Sequence, residues 1–260
     1  MLKILKYSFY DLMRSRWSYV YLGFYLLLGA VLLFLNNDLS KAVITLMNVI
    51  IVLVPLIGTI FGVMYYYNSK EFTELLLAQP LKRTSIFLGQ YLGVALSLSM
   101  SLIIGLGIPF IAYGLFQSNV IWDFSLLLIT GAFLTFIFTA LAFNIALSNE
   151  NKIKGFGYAI LLWLFLAVIY DGLFLMTLVI FEAYPLDKLS LVGSMLNPID
   201  LSRTLILLKL DISALLGYTG AIFKKFFGTN FGFIISTLVL CVWVVLPMLR
   251  IVRKSKKKDF

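Results

Sequence analysis

The chain has no histidine and one cysteine, Cys241. Without histidine there is no His-based catalytic triad, no HExxH zinc motif and no imidazole-ligated zinc or copper site. A single thiol forms neither an intramolecular disulfide nor a multi-thiolate metal centre, and the eight methionines are scattered with no MxxM pair. The phosphate-binding pattern GxxxxGK[ST] is absent, so the chain does not hydrolyse ATP by that route alone. Gly155-Phe156-Gly157 lacks the strand context of a nucleotide loop. Charge is scarce as well. Charged residues make up 13% of the chain against 62% hydrophobic residues, which excludes an ordinary soluble domain. The net charge of +9 does not point to nucleic acid, because the basic residues flank apolar runs in the usual topogenic manner.

What is present is a series of long apolar runs. A hydrocarbon core of ~30 Å needs about 20 helical residues, and six spans are predicted at 17–35, 43–66, 86–116, 121–148, 156–181 and 231–249. The fold class is an all-α polytopic membrane protein, a single transmembrane unit over 1–260. Met1 to Arg16 places Leu2, Leu5, Phe9, Leu12 and Met13 on one face and Lys3, Lys6, Tyr10 and Arg14 largely elsewhere, an interfacial helix before the first span. It does not read as a signal peptide: the run from Trp17 to Leu35 is too long, and Asn36-Asn37-Asp38 offers no small-residue cleavage site. With the N-terminus inside, fifteen of the 21 Lys and Arg fall on the inner side. That bias predicts both termini in the cytoplasm.

The third span contains Gly105, Gly107 and Pro109, which predict a kink or break near its outer end, while Gly93, Ser97, Ser99 and Ser101 suit close helix packing. The one large outer segment covers 182–230. In it, Asn197-Pro198-Ile199-Asp200 is a helix start with Asn as cap, Pro at the first position and Asp in the first turn. Asp211 or Ser213 caps a second helix, ended by Lys224-Lys225 and Gly228. A seventh span at 212–227 is rejected, because it is short and carries two lysines. The apolar residues Leu201, Leu205, Leu208, Leu215, Leu216 and Phe223 must pack on the spans or meet the bilayer, a second protomer or a partner protein.

Two features carry the functional expectations. The stretch 68–85, NSKEFTELLLAQPLKRTS, is a charged amphipathic island between two spans. Phe72, Leu75 and Leu76 have the spacing of one helical face, Lys70, Glu71 and Glu74 supply its charges, and Pro80 stops the helix. Thr84 or Ser85 is placed to cap the next helix. It is either a solvated interfacial loop or a handle for a soluble protein. The second feature is Asp171, a carboxylate well inside the fifth span. Such a group serves cargo or gating, or makes a structural hydrogen bond to another helix. Asn48 and Asn144 read as helix–helix glue.

With these residues in view, the chain resembles the permease subunits of ABC exporters of the type 2 class over essentially its whole length. The matching stretch runs from Glu71 through Leu75-Leu76 and Pro80 to Arg83, then Gly89-Gln90-Tyr91. Where that class usually has a Glu-Arg-like pair and often a glycine, this chain has Lys70-Glu71 and Phe72-Thr73. In that class the island is a coupling helix that docks in a groove of a separate ATPase. The resemblance therefore assigns Glu71, Phe72, Glu74, Leu75, Leu76 and Pro80 to docking. Asn197-Pro198-Ile199-Asp200-Leu201-Ser202-Arg203, the run from Leu210 to Gly220 and the terminal Lys257-Lys258-Asp259-Phe260 are similar to the permeases of nitrous-oxide reductase maturation systems.

That resemblance implies a homodimer with two cytoplasmic ABC ATPase subunits, which would hold the ATP and Mg. It also implies a periplasmic β-helix partner and a role in assembling a copper–sulfur centre. Asp200 and Arg203 are the expected polar contacts to that partner. No catalytic residue, metal site or cofactor is assigned to the chain, and its other partner is membrane lipid, not nucleic acid. A copper path would want soft or imidazole ligands. Their scarcity favours export of a sulfur species, or mechanical signalling, over copper export. A generic exporter of lipid, drug or polysaccharide is the alternative.

Overall fold

The computed structural model describes residues 1–36, 38–181, 187–209 and 230–257, and among them every regular element is helical. The helices are α1 Leu2–Met13, α2 Arg16–Asn36, α3 Leu39–Asn68, α4 Lys70–Leu77, α5 Arg83–Ala112, α6 Ile121–Ser148, α7 Lys152–Leu164, α8 Tyr170–Ile180, α9 Asp187–Leu196, α10 Pro198–Lys209 and α11 Asn230–Lys257. A π-helical turn, Phe165–Ile169, joins α7 to α8. Among the described residues six helices are long and apolar enough to cross a membrane: α2, α3, α5, α6, the α7–α8 unit and α11. The all-α polytopic architecture expected from the apolar runs is the one observed.

Small residues decide how the spans meet. Gly89, Gly93, Ser97, Ser101 and Gly105 recur every fourth residue along α5, and so form one stripe on its surface. Helix α1 lies on the first part of that stripe with Ile4, Ser8 and Leu12 turned inward. A Cβ at Gly93 would fall 2.7 Å from the Ser8 Cβ and 2.9 Å from the Leu5 carbonyl oxygen, so only glycine permits this approach. The buried face of α1 is therefore Ile4–Ser8–Leu12, and Leu2 of the expected apolar face is exposed. Farther along, α2 crosses at Gly105, where a Cβ would sit 2.7 Å from that of Tyr25. Of the kink or break expected at Gly105–Pro109, the break is absent: α5 continues through Pro109 and ends at Ala112, ahead of a left-handed Gly114 at φ 95°. The Pro109 ring rests against Gly29 of α2.

Helices α3 and α6 form the centre of the bundle, with Gly58 and Gly62 set against Thr139 and Ala142. The ends of these helices are tied by polar side chains. Tyr67 donates to the Asn149 carbonyl at 2.7 Å and stacks on Phe156. Asn144 donates to the Pro247 carbonyl of α11 at 2.7 Å, the interhelical role expected of it. Lys254 donates to the Asn144 carbonyl at 3.0 Å and to the Ser148 hydroxyl. Asn48, by contrast, donates to the Ile44 carbonyl of its own helix at 3.5 Å.

The outer segment, where described, takes the first of the arrangements open to it and packs on the spans. Here α10 starts as predicted at Asn197-Pro198, α9 before it is an additional helix, and the two bend by 117° at Asn197 and enter the bundle as a re-entrant pair. Ile199, Leu201, Leu205, Ile206 and Leu207 are all buried in the common core. A helix buried nearly all round belongs inside a bundle. The apolar surface expected on α10 is thus covered by the spans. The second outer helix, with Leu215, Leu216 and Phe223, lies outside the described residues, as do the run 210–220 and Lys258 to Phe260.

Candidate functional site

Helix α4 follows α3 directly, the two sharing Ser69 as cap, and its eight residues stop three positions before Pro80. Its inner side is fixed by two contacts. Phe72 stacks on Tyr7 of α1 with ring centroids 4.5 Å apart. Thr73 is buried, donates to the Ser69 carbonyl at 2.8 Å and accepts from Gln90 Nε2 of α5 at 2.8 Å. The expected single face of Phe72, Leu75 and Leu76 is therefore split. Phe72 and Leu76 are half-buried, whereas Leu75 is 68% exposed. Successive residues turn by about 100°, which places Leu75 with Glu71 and Glu74 on the outward side. Lys70 and Glu74 pair across that face at 3.8 Å. Pro80 is exposed in the turn that follows. Neither Thr84 nor Ser85 caps α5: Lys82 holds the cap position, with no side-chain bond.

The structure brings Asp171, Asp200 and Arg203 into one cluster. Arg203 Nη1 donates to Asp171 Oδ2 at 2.8 Å and lies 3.6 Å from Asp200 Oδ1. Asp171 is therefore not a lone carboxylate: α10 supplies its counter-ion. Asp200 and Arg203 do not form an exposed docking edge. Asp200 is 6% exposed, and Arg203 faces Asp171 across the gap between α10 and α8. Two carboxylates share one guanidinium, and Asn197 donates to the second oxygen of Asp200 at 3.2 Å.

Asn197 also holds the apex of the re-entrant pair. Its Oδ1 accepts from the Ile199 amide at 3.0 Å, the predicted N-cap, and its Nδ2 donates to the Leu166 carbonyl at 2.8 Å. Leu166 belongs to the π turn, which disturbs the regular i to i+4 pairing and marks a place where the helix is re-aimed. Tyr170 donates to the Gly193 carbonyl at 2.6 Å, and Trp243 of α11 to the Met195 carbonyl at 3.2 Å. The apex of the re-entrant pair is thus bonded to the middle stretches of two spans. A neighbouring open cavity of about 700 Å³ lies between α8 and α9, lined by Phe165, Tyr170, Phe174, Thr177, Val192 and Leu196.

Sequence reasoning named Asp171, Asp200 and Arg203 but not their union, because residues 32 apart in the chain carry no local sign of pairing. It missed Tyr7, and it quoted Thr73 and Gln90 within the coupling stretch without pairing them. A further signal was that Thr73 is a hydroxyl on the inward side of an otherwise apolar and charged helix.

No protein-family model matches the chain. The six spans with a short charged helix after the second define a polytopic membrane protein, and the similar curated proteins are ABC transporter permeases. Both are named as the probable ABC transporter permease protein NosY. The one from Stutzerimonas stutzeri is 30% identical over 134 residues, covering 50% of this chain and 49% of that protein. The one from Pseudomonas aeruginosa is 27% identical over 189 residues, covering 68% of this chain and 67% of that protein. The match spans about half the length of the first relative and two thirds of the second. The resemblance seen in the sequence is thereby supported.

Proposed function

We propose that the chain is the membrane-spanning permease subunit of an ABC transporter, with α4 as the helix on which a separate ATPase docks. The observation that carries this reading is the exposed Leu75 beside Glu71 and Glu74, on a short helix whose inner side is already committed to α1 and α5. An apolar side chain 68% exposed among charges suits a shallow groove on a soluble partner. The likeness to proteins named as ABC transporter permeases supports the same reading. ATP and Mg belong to the docked subunit, and two permease chains with two ATPase subunits make the working unit. Both chain termini and α4 lie on the cytoplasmic side of the inner membrane.

The similarity to NosY carries the finer reading: ATP-driven motion serves maturation of the copper–sulfur centre of nitrous-oxide reductase, by moving a sulfur species or by mechanical signalling to a periplasmic β-helix protein. The pairing of Asp171 with Arg203 favours gating over cargo binding at that carboxylate, since its charge is already matched. Contact with the periplasmic partner then falls to parts of 182–230 other than the buried Asp200.

The test is purification of the affinity-tagged chain in detergent from cells that make it with its ATPase. Retention of an ATP-hydrolysing subunit by the unaltered chain, and its loss from Leu75→Asp at unchanged thermal stability, is the expected result. An ATPase retained equally by both would move the docking face elsewhere.

A further inference from the structure

Helix α4 is too short to hold its own shape: isolated helices of eight residues are far below the length at which helices persist in water. Its orientation therefore depends on what it touches. Apart from the chain joint at Ser69, two side-chain contacts described above hold it, Phe72 on Tyr7 and Thr73 on Gln90. Both lead to the same place. Gln90 directly follows Gly89, where a Cβ would lie 3.0 Å from the Ile4 side chain of α1, and Gly93 one turn later seats Ser8. Tyr7 lies next to Ser8 in the same turn of α1. One turn of α5 thus carries α1 on its glycine side and α4 on its glutamine side.

We propose that Gln90 is a positioning residue for energy coupling: through Thr73 it fixes α4 to α5, so that a load on the Leu75 face moves α4, α1 and the Arg83 end of α5 together. Three features single it out. Gln90 and Thr73 are both buried, so their hydrogen bond has no competing solvent. Gln90 is the only amide or charged side chain among the buried residues of α5, otherwise apolar, small, hydroxyl-bearing or aromatic. Thr73 simultaneously donates to Ser69, so the bond from Gln90 also steadies the joint between α3 and α4. The aromatic stack on Tyr7 resists sliding poorly, because offset rings tolerate a range of placements. A hydrogen bond at 2.8 Å fixes position and direction.

This inference rests on the docking of an ATPase at α4, and the experiment separates the two. Cys241 is the sole cysteine. It lines an apolar groove of about 580 Å³ with Ile103 of α5, Ile129 and Phe133 of α6, and Val244 of α11. Motion of α5 changes that groove, so the rate at which a membrane-permeant maleimide labels Cys241 reports it without an engineered cysteine in this chain. The assembled complex is labelled with and without ATP and Mg, for the unaltered chain, Gln90→Leu, Thr73→Val, the double variant and the conservative Thr73→Ser.

Expected is an ATP-dependent change in labelling rate that falls about tenfold in Gln90→Leu and in Thr73→Val, the scale of one buried hydrogen bond. The double variant should be no worse than either single one, because both remove the same bond. Thr73→Ser should keep the response. Complex yield and ATPase retention should hold in all four variants, which a merely structural role would not predict. A full ATP response in Gln90→Leu, additive losses in the double variant, or loss of the ATPase from the Gln90 variants overturns the assignment. An unaltered chain that retains no ATPase overturns the docking at α4 and this assignment with it.

Discussion

Arg203 of α10 donates a 2.8 Å hydrogen bond to Asp171 of α8, joining the re-entrant pair to the fifth span by opposite charges. Asp200 stands 3.6 Å from the same guanidinium nitrogen, so the cluster holds more negative than positive charge. Removing the cation should therefore cost more than removing one anion. Arg203→Gln is expected to lower stability by about 2–3 kcal/mol, since it leaves Asp171 facing a buried Asp200, and Asp171→Asn by about 1 kcal/mol. Adding Asp200→Asn should recover part of the Arg203→Gln loss. Thermal unfolding in detergent measures all three, and equal losses for the first two would show that the second aspartate is electrostatically silent.

The two sides of α4 should answer differently to the same chemistry. Leu75→Asp alters an exposed position and should change thermal stability by no more than about 0.5 kcal/mol. Phe72→Ala removes the ring stacked on Tyr7 and should cost about 1 kcal/mol or more. Leu76→Asp, half-buried, should resemble Phe72→Ala. Melting curves paired with ATPase retention check this: Leu75→Asp should affect retention alone.

Glycines with the same sequence appearance should separate by what surrounds them. Gly93→Ala presses a methyl group against Ser8 and the backbone of α1, and overpacking of this kind costs about 1–3 kcal/mol. Limited proteolysis should then cut within α1 faster. Gly157→Ala, with nothing within 4 Å of the new Cβ, should be neutral or stabilising by up to about 1 kcal/mol through helix propensity.

Asn197→Ala removes a helix cap and leaves the Leu166 carbonyl without that donor. The cap alone is worth about 1 kcal/mol. Amide hydrogen exchange should rise both at the start of α10 and in the π turn, which lie 31 residues apart. Faster exchange confined to α10 would mean that Asn197 does not support the turn.

The spans were legible because twenty or so apolar residues in a row have one physical solution in a membrane. The cap at Asn197, the termination before Pro80 and the interhelical role of Asn144 were legible for the same reason: each is set by the residue's own chemistry within a few positions. The re-entrant course of α9 and α10 was not. An apolar helix of 12 residues has the same sequence whether it lies outside the bundle or folds into it, and only its neighbours decide. Asp171 and Arg203 each announced a need for a partner without naming it. On α4 the pattern of Phe72, Leu75 and Leu76 was seen, but not that Thr73 would turn the helix so that Leu75 faces outward.

The position of the re-entrant pair also bears on how the chain is made. Its apex is bonded to Leu166 and Asp171, which leave the ribosome before it, and to Trp243, which leaves after it. Leu201 and Leu205 are buried in a core that includes Leu240 and Ile251 of α11. During synthesis α9 and α10 therefore precede a wall of their own berth. A ribosome-bound chain ending before residue 230 would expose the α10 surfaces that α11 later covers, and the arrival of α11 closes the compartment around them.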